Sequence, residues 1–118
     1  MNIEDFRDYC LEKKGVTEEL PFDEITLVYK VLGKMFALTN TEKEFSINLK
    51  CDPEKAIELR EKYSDSVLPG WHMNKKLWNT VMIDGRVPDS IIYSWIDESY
   101  SLVVEKLTKA MKEKLKSL

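Results

Sequence analysis

The chain has little of what catalytic and metal centres are made from. It carries one histidine, His72, and two cysteines, Cys10 and Cys51, which stand far apart and form no C-x-x-C pair. Dedicated metal sites draw on several imidazoles, thiolates or clustered carboxylates, so neither a metal nor another cofactor is expected. No acid or nucleophile stands at an informative spacing from His72, and no serine sits in a G-x-S-x-G context. Leu32-Gly33-Lys34 is neither a dinucleotide-binding fingerprint nor a P-loop. No catalytic residue is therefore assigned, and the chain is not expected to be an enzyme. Long apolar runs are missing as well, where roughly 20 residues would be needed to span a bilayer. Asn2-Ile3-Glu4-Asp5 does not begin a signal peptide. Isolated cysteines suit a reducing compartment. A cytoplasmic protein with no membrane partner is the expectation.

What is present is the composition of one ordinary globular domain spanning residues 1–118, with 43% hydrophobic and 33% charged residues. The net charge of −3 argues against a phosphate binder over the whole surface. The charge is unevenly spread, however. Residues 1–24 hold eight acids against three bases, whereas residues 25–81 hold nine bases against seven acids. A modest positive patch is thus compatible with an acidic chain.

The element signals are short and mixed. Asn2 caps a first helix with a buried stripe of Ile3, Phe6 and Cys10, and Gly15 is its stop. Val16 to Glu24, acidic and containing Pro21, reads as an extended loop. Ile25 to Leu38 reads as a hairpin turning at Gly33-Lys34. Phe45, Ile47 and Leu49 alternate with Ser46, Asn48 and Lys50 in a third strand. Asp52-Pro53 opens a second helix. Val67-Leu68 forms a short edge strand, and Leu77 to Ile83 the last one. The helical periodicity after Pro88-Asp89 fits one long helix or two joined near Thr108. The lysines at its end, Lys106 among them, read as a solvated helix face. The order α-β-β-β-α-β-β-α predicts an α+β, two-layer sandwich: an antiparallel sheet of about five strands with the helices packed on one face.

The densest chemistry lies in Pro69–Val81, with two of the three tryptophans, the histidine and a lysine pair. Alternation places Trp78 and Thr80 on one face of the last strand, opposite Asn79, Val81 and Ile83. If Val81 and Ile83 are core, Trp78 shares the outward side with Ser46, Asn48, Lys50, Thr26 and Lys30. The competing reading makes Trp78 core and the rest an ordinary wet face. The candidate nucleic-acid-binding residues are Lys30, Lys34, Lys50, His72, Asn74, Lys75, Lys76 and Trp78. Lysines would neutralise phosphates, and the indole would stack or wedge.

Tyr29–Ala37, Asn48–Cys51 before Pro53-Glu54, and Pro69–Val81 resemble the motifs of the MmcQ/YjbR-like family, continued by Ile83-Asp84-Gly85, Val87-Pro88-Asp89 and Ser99-Tyr100. Leu32 departs from the pattern, where a second glycine is common beside Gly33. The resemblance covers nearly the whole chain. It implies a bacterial, cytosolic domain with a CyaY/frataxin-like, double-wing fold of the kind usually labelled DNA-binding. The expected partner is thus DNA, bound weakly and salt-sensitively by a monomer. The alternative is a protein-interaction module using the same face, anchored by Trp71 or Trp78.

Overall fold

The computed structural model describes residues 1–42, 44–71 and 73–118. Helix α1 (Ile3–Leu11) is followed by strands β1 (Val16–Glu19), β2 (Thr26–Val31), β3 (Lys34–Asn40) and β4 (Ser46–Lys50). Then come α2 (Pro53–Lys62), β5 (Val67–Pro69), β6 (Trp78–Met82), α3 (Asp89–Glu105) and α4 (Lys109–Lys116). The strands form one antiparallel sheet in the order β1-β2-β3-β4-β6-β5. The α+β two-layer architecture is as the sequence indicates, with six strands in place of five.

Local chemistry accounts for most boundaries. Asn2 and Asp5 form a reciprocal capping box at the start of α1, and Asp52 caps α2 with Pro53 in the first helical position. Thr108 caps α4 by accepting from the Met111 amide, so the C-terminal region is two helices. The β2–β3 turn uses Leu32 and Gly33, both with positive φ (45° and 85°), the geometry of a two-residue hairpin turn. A glycine in place of Leu32 would suit that backbone without strain. At Gly33 an added Cβ meets nothing within 4 Å. Gly33→Ala is therefore expected to cost about 1–2 kcal/mol through backbone conformation alone, read as a lower denaturant midpoint with an unchanged m-value.

The helices cover one face of the sheet. Phe6 and Cys10 of α1, Ile92, Ile96 and Val103 of α3, and Leu115 of α4 pack against Tyr29, Phe36, Ile47 and Val81. Trp95 of α3 meets Tyr63 at the end of α2 edge-on, with ring centroids 5.5 Å apart. Between β2 and β3 the register jumps from Tyr29–Ala37 to Lys30–Met35, leaving Phe36 as the extra residue of a bulge. The Phe36 ring turns into the helix layer, where it meets Tyr100 edge-on at 5.4 Å. Among the described residues no helix is long and apolar enough to cross a membrane.

The segment read as an acidic loop contains β1, an edge strand. Its core-side residue opposite Tyr29 is Glu18, which breaks the apolar alternation that marks a strand. That carboxylate is satisfied on both sides: Arg7 donates from Nε and Nη2 at 2.8 and 2.9 Å, and the Tyr29 hydroxyl donates at 2.6 Å.

Candidate functional site

The face of the sheet away from the helices carries Thr26, Val28 and Lys30 of β2, Met35 and Leu38 of β3, and Ser46, Asn48 and Lys50 of β4. Beside these lie Trp78 and Thr80 of β6. The register sets Lys50 opposite Trp78 and Asn48 opposite Thr80. This is the side on which alternation had grouped Trp78 with Ser46, Asn48 and Lys50. The centre of the face is not wet. Val28, Leu38 and Trp78 form a second, small apolar cluster, with Met35, Met73 and Leu77 folded against it. Trp78 is 7% exposed, so the expected stacking or wedging indole is not presented to solvent. The β5–β6 segment doubles back over its own strand, and burying the indole there removes more apolar area from water than exposing it would.

The tryptophan that is presented is Trp71, 45% exposed. Its amide donates to the Thr80 hydroxyl at 3.0 Å, and that hydroxyl donates to Asn48 Oδ1 at 2.5 Å. Gly70 makes this fold-back possible: a Cβ there would sit 2.8 Å from the Trp78 Cβ and 2.9 Å from the Trp78 carbonyl oxygen. Trp71 and Met73 form one wall of a cleft of about 360 Å³. Phe22 and Asp23 form the other, over a floor that includes Thr26, Leu38, Ser46 and Asn48. Phe22 is 64% exposed. Asp23 accepts from the Ile25 and Thr26 amides at 2.9 and 2.7 Å and from the Thr26 hydroxyl at 3.1 Å. Those bonds, the Ile25 amide foremost, hold its carboxyl below the usual range.

A second open cleft of about 360 Å³ lies at the other end of the face, where β3 begins and β4 ends. It is lined by Lys34, Met35, Lys50, Trp78, Val103 and Lys106. No carboxylate lines it, and none of the three lysines makes an ion pair among the described residues. Partial burial, and then the charge on Lys106, push the Lys50 ammonium below its ordinary pKa.

The other predicted residues divide. Lys30 lies 3.3 Å from Glu19 Oε1, so its charge is already matched. Lys75 and Lys76 are exposed in the turn leading into Trp78, where the Lys75 ammonium donates to the Gly70 carbonyl at 3.3 Å. Asn74 builds that turn: its Oδ1 accepts from the Lys76 amide at 3.0 Å, and its carbonyl from the Leu77 and Trp78 amides. His72 lies outside the described residues. Lys106 was not singled out by the sequence, because it reads as one of several lysines on a helix end. At the C-cap of α3 it nonetheless lines the cleft with Lys34 and Lys50.

With this geometry in hand, comparison with known proteins is informative. The YjbR family model matches residues 11–102. The chain belongs to the YjbR family. The Escherichia coli (strain K12) family member, the uncharacterized protein YjbR, is 36% identical over 119 residues and is covered in full, as is this chain. The Bacillus subtilis (strain 168) uncharacterized protein YyaQ is 27% identical over 114 residues, covering 84% of this chain and 95% of its own. The crystal structure of a Deinococcus radiodurans protein with a DUF419 domain is also similar. It superposes with a TM-score of 0.91 at 42% identity, covering 97% of this chain and 87% of that one. These relatives fix the family and the fold, and their names carry no activity.

Proposed function

We propose that this family member is a non-enzymatic, cytoplasmic DNA-binding domain whose phosphate contacts centre on Lys34, Lys50 and Lys106. One observation carries the reading. In a chain of net charge −3, three lysines converge on one cleft with no carboxylate among the described residues that line it. Gathering like charges around a partly desolvated ammonium is unfavourable, and an incoming phosphate relieves it. Lys75 and Lys76, exposed in the turn before Trp78, extend the positive surface. The two free cysteines, Cys10 buried and Cys51 half-buried, accord with a reducing compartment.

Binding of this kind is dominated by counterion release, so affinity on the order of micromolar or weaker is expected at physiological salt. Replacing Lys34, Lys50 and Lys106 together by glutamine should lower the slope of log K against log salt by about two units. Fluorescence anisotropy with labelled DNA at several salt concentrations measures it. Absence of binding at low salt, or an unchanged slope in the triple variant, overturns the proposal.

A further inference from the structure

We infer that the cleft between Phe22 and Trp71 receives an unpaired nucleobase, so that single-stranded nucleic acid is the preferred ligand over duplex. This rests on the phosphate-binding reading of the lysine cleft, and three features of the open face lead to it.

The first is what the cleft offers. Two exposed aromatic side chains, Phe22 and Trp71, line a cleft of mixed apolar and polar character, and aromatic faces hold bases of any identity by stacking. The floor supplies hydrogen-bonding groups of both senses. Asn48 Oδ1 is occupied by the Thr80 hydroxyl, which leaves the Asn48 amide hydrogens without a protein partner among the described residues. The Ser46 side-chain hydroxyl is likewise unpartnered there, and Asp23 adds an acceptor. A nucleobase edge carries donors and acceptors together. A simple organic cation would satisfy Asp23 alone and leave the amide unused.

The second feature is charge. Asp23 is anchored as an anion by three hydrogen bonds, so phosphate is repelled from this cleft and drawn toward Lys34, Lys50 and Lys106. Base at one end and phosphate at the other is the polarity of a nucleotide. The third is spacing. Asn48 and Lys50 point to the same side of β4 two residues apart, about 7 Å along a strand, within the span of one nucleotide. In a duplex the bases are stacked and paired, and extruding one costs a few kcal/mol that an open strand does not lose.

The test uses the intact protein with a labelled mixed-sequence single strand, the matching duplex and an unlabelled mononucleotide. The strand should bind more tightly than the duplex and quench tryptophan emission, since Trp71 is exposed while Trp78 and Trp95 are each 7% exposed. Trp71→Ala should weaken single-strand binding about tenfold, leave duplex binding unchanged and abolish the quench, while Trp71→Phe restores binding. An unchanged thermal midpoint of Trp71→Ala separates lost stacking from lost fold. Equal affinity for strand and duplex, or Trp71→Ala weakening both alike or neither, overturns the inference and leaves the phosphate cleft standing. Quenching by the mononucleotide at the same concentration as the strand also overturns it, in favour of a free nucleotide. Loss of all binding in wild type removes the lysine reading itself.

Discussion

Ser99→Ala is expected to lower stability by about 2–4 kcal/mol, although it removes a single oxygen. Ser99 is fully buried in the middle of α3, and its hydroxyl joins that helix to two strands. It donates to the Phe36 carbonyl at 2.5 Å and accepts from the Lys50 amide at 2.9 Å. Both partners need it for a structural reason. The bulge takes Phe36 out of the β2–β3 register, so its carbonyl faces the helix layer, and Lys50 ends β4. Truncation leaves a buried acceptor and a part-buried donor without a partner, each costing about 1–3 kcal/mol. Glycine would add a helix penalty of about 1 kcal/mol, whereas threonine keeps the hydroxyl but adds a methyl group to a closed site. Chemical denaturation should show a lower midpoint for Ser99→Ala with the m-value preserved.

The same substitution tests how the sheet supports the lysine cleft. Lys50 places its ammonium in that cleft from a backbone position fixed by Ser99 on one side and by pairing with Trp78 on the other. A helix-layer residue thus positions a charge on the opposite face. In Ser99→Ala at low temperature, where the protein remains folded, freeing the Lys50 amide should weaken the phosphate binding proposed for this cleft without changing the number of lysines.

Sequence periodicity reached most of the fold because most strands obey it. Ser46–Lys50 alternates cleanly, and its partner register with Trp78–Met82 follows from which of those residues are apolar. It fell short where a local rule was broken for a tertiary gain. At Val16–Glu19 the core-side position is a carboxylate, and only Arg7 and Tyr29, 11 residues away on either side, explain how it is tolerated. At Trp71 and Trp78 the composition was legible and the assignment of roles was not. Both are large amphipathic rings in one loop-and-strand segment. Which of them is buried depends on Gly70, where an added Cβ would sit 2.9 Å from the Trp78 carbonyl oxygen, and on Met73 and Leu77 packing against the indole cluster. Lys106 was hidden among other lysines, since its place beside Lys34 and Lys50 is a tertiary contact that helical spacing does not mark. Phe22 and Asp23 lie in a stretch without periodicity, and the cleft they help to form exists only through contact with a loop some 50 residues later.

Glu18→Ala is expected to destabilise the protein by about 2–4 kcal/mol near neutral pH and to flatten its acid sensitivity. Glu18 accepts two hydrogen bonds from Arg7 and one from Tyr29, tying α1 to β1 and β1 to β2 at the edge of the sheet. The bond to Arg7, and after it the one to Tyr29, hold the carboxyl below its usual pKa against the opposing effect of burial. A carboxyl whose folded pKa is depressed contributes its full stability above the unfolded value, near 4.3. That contribution is lost as pH falls through the unfolded and then the folded value. Burial, and next the Glu18 hydrogen bond, raise the Tyr29 hydroxyl well above its ordinary pKa. Tyr29 therefore favours the fold below about pH 10, and that share fades as the pH rises further. Truncating Glu18 leaves the fully buried Tyr29 without its acceptor and Arg7 without its bidentate partner, while Glu18→Gln retains one acceptor oxygen and should cost less. Thermal midpoints of wild type and the two variants from pH 3 to pH 8 measure both effects. The curves should draw together as pH falls below the unfolded carboxyl value, where the wild-type stability from Glu18 is progressively lost, and separate above it. A gap independent of pH would assign the loss to packing and remove the charge on Glu18 from the account of β1.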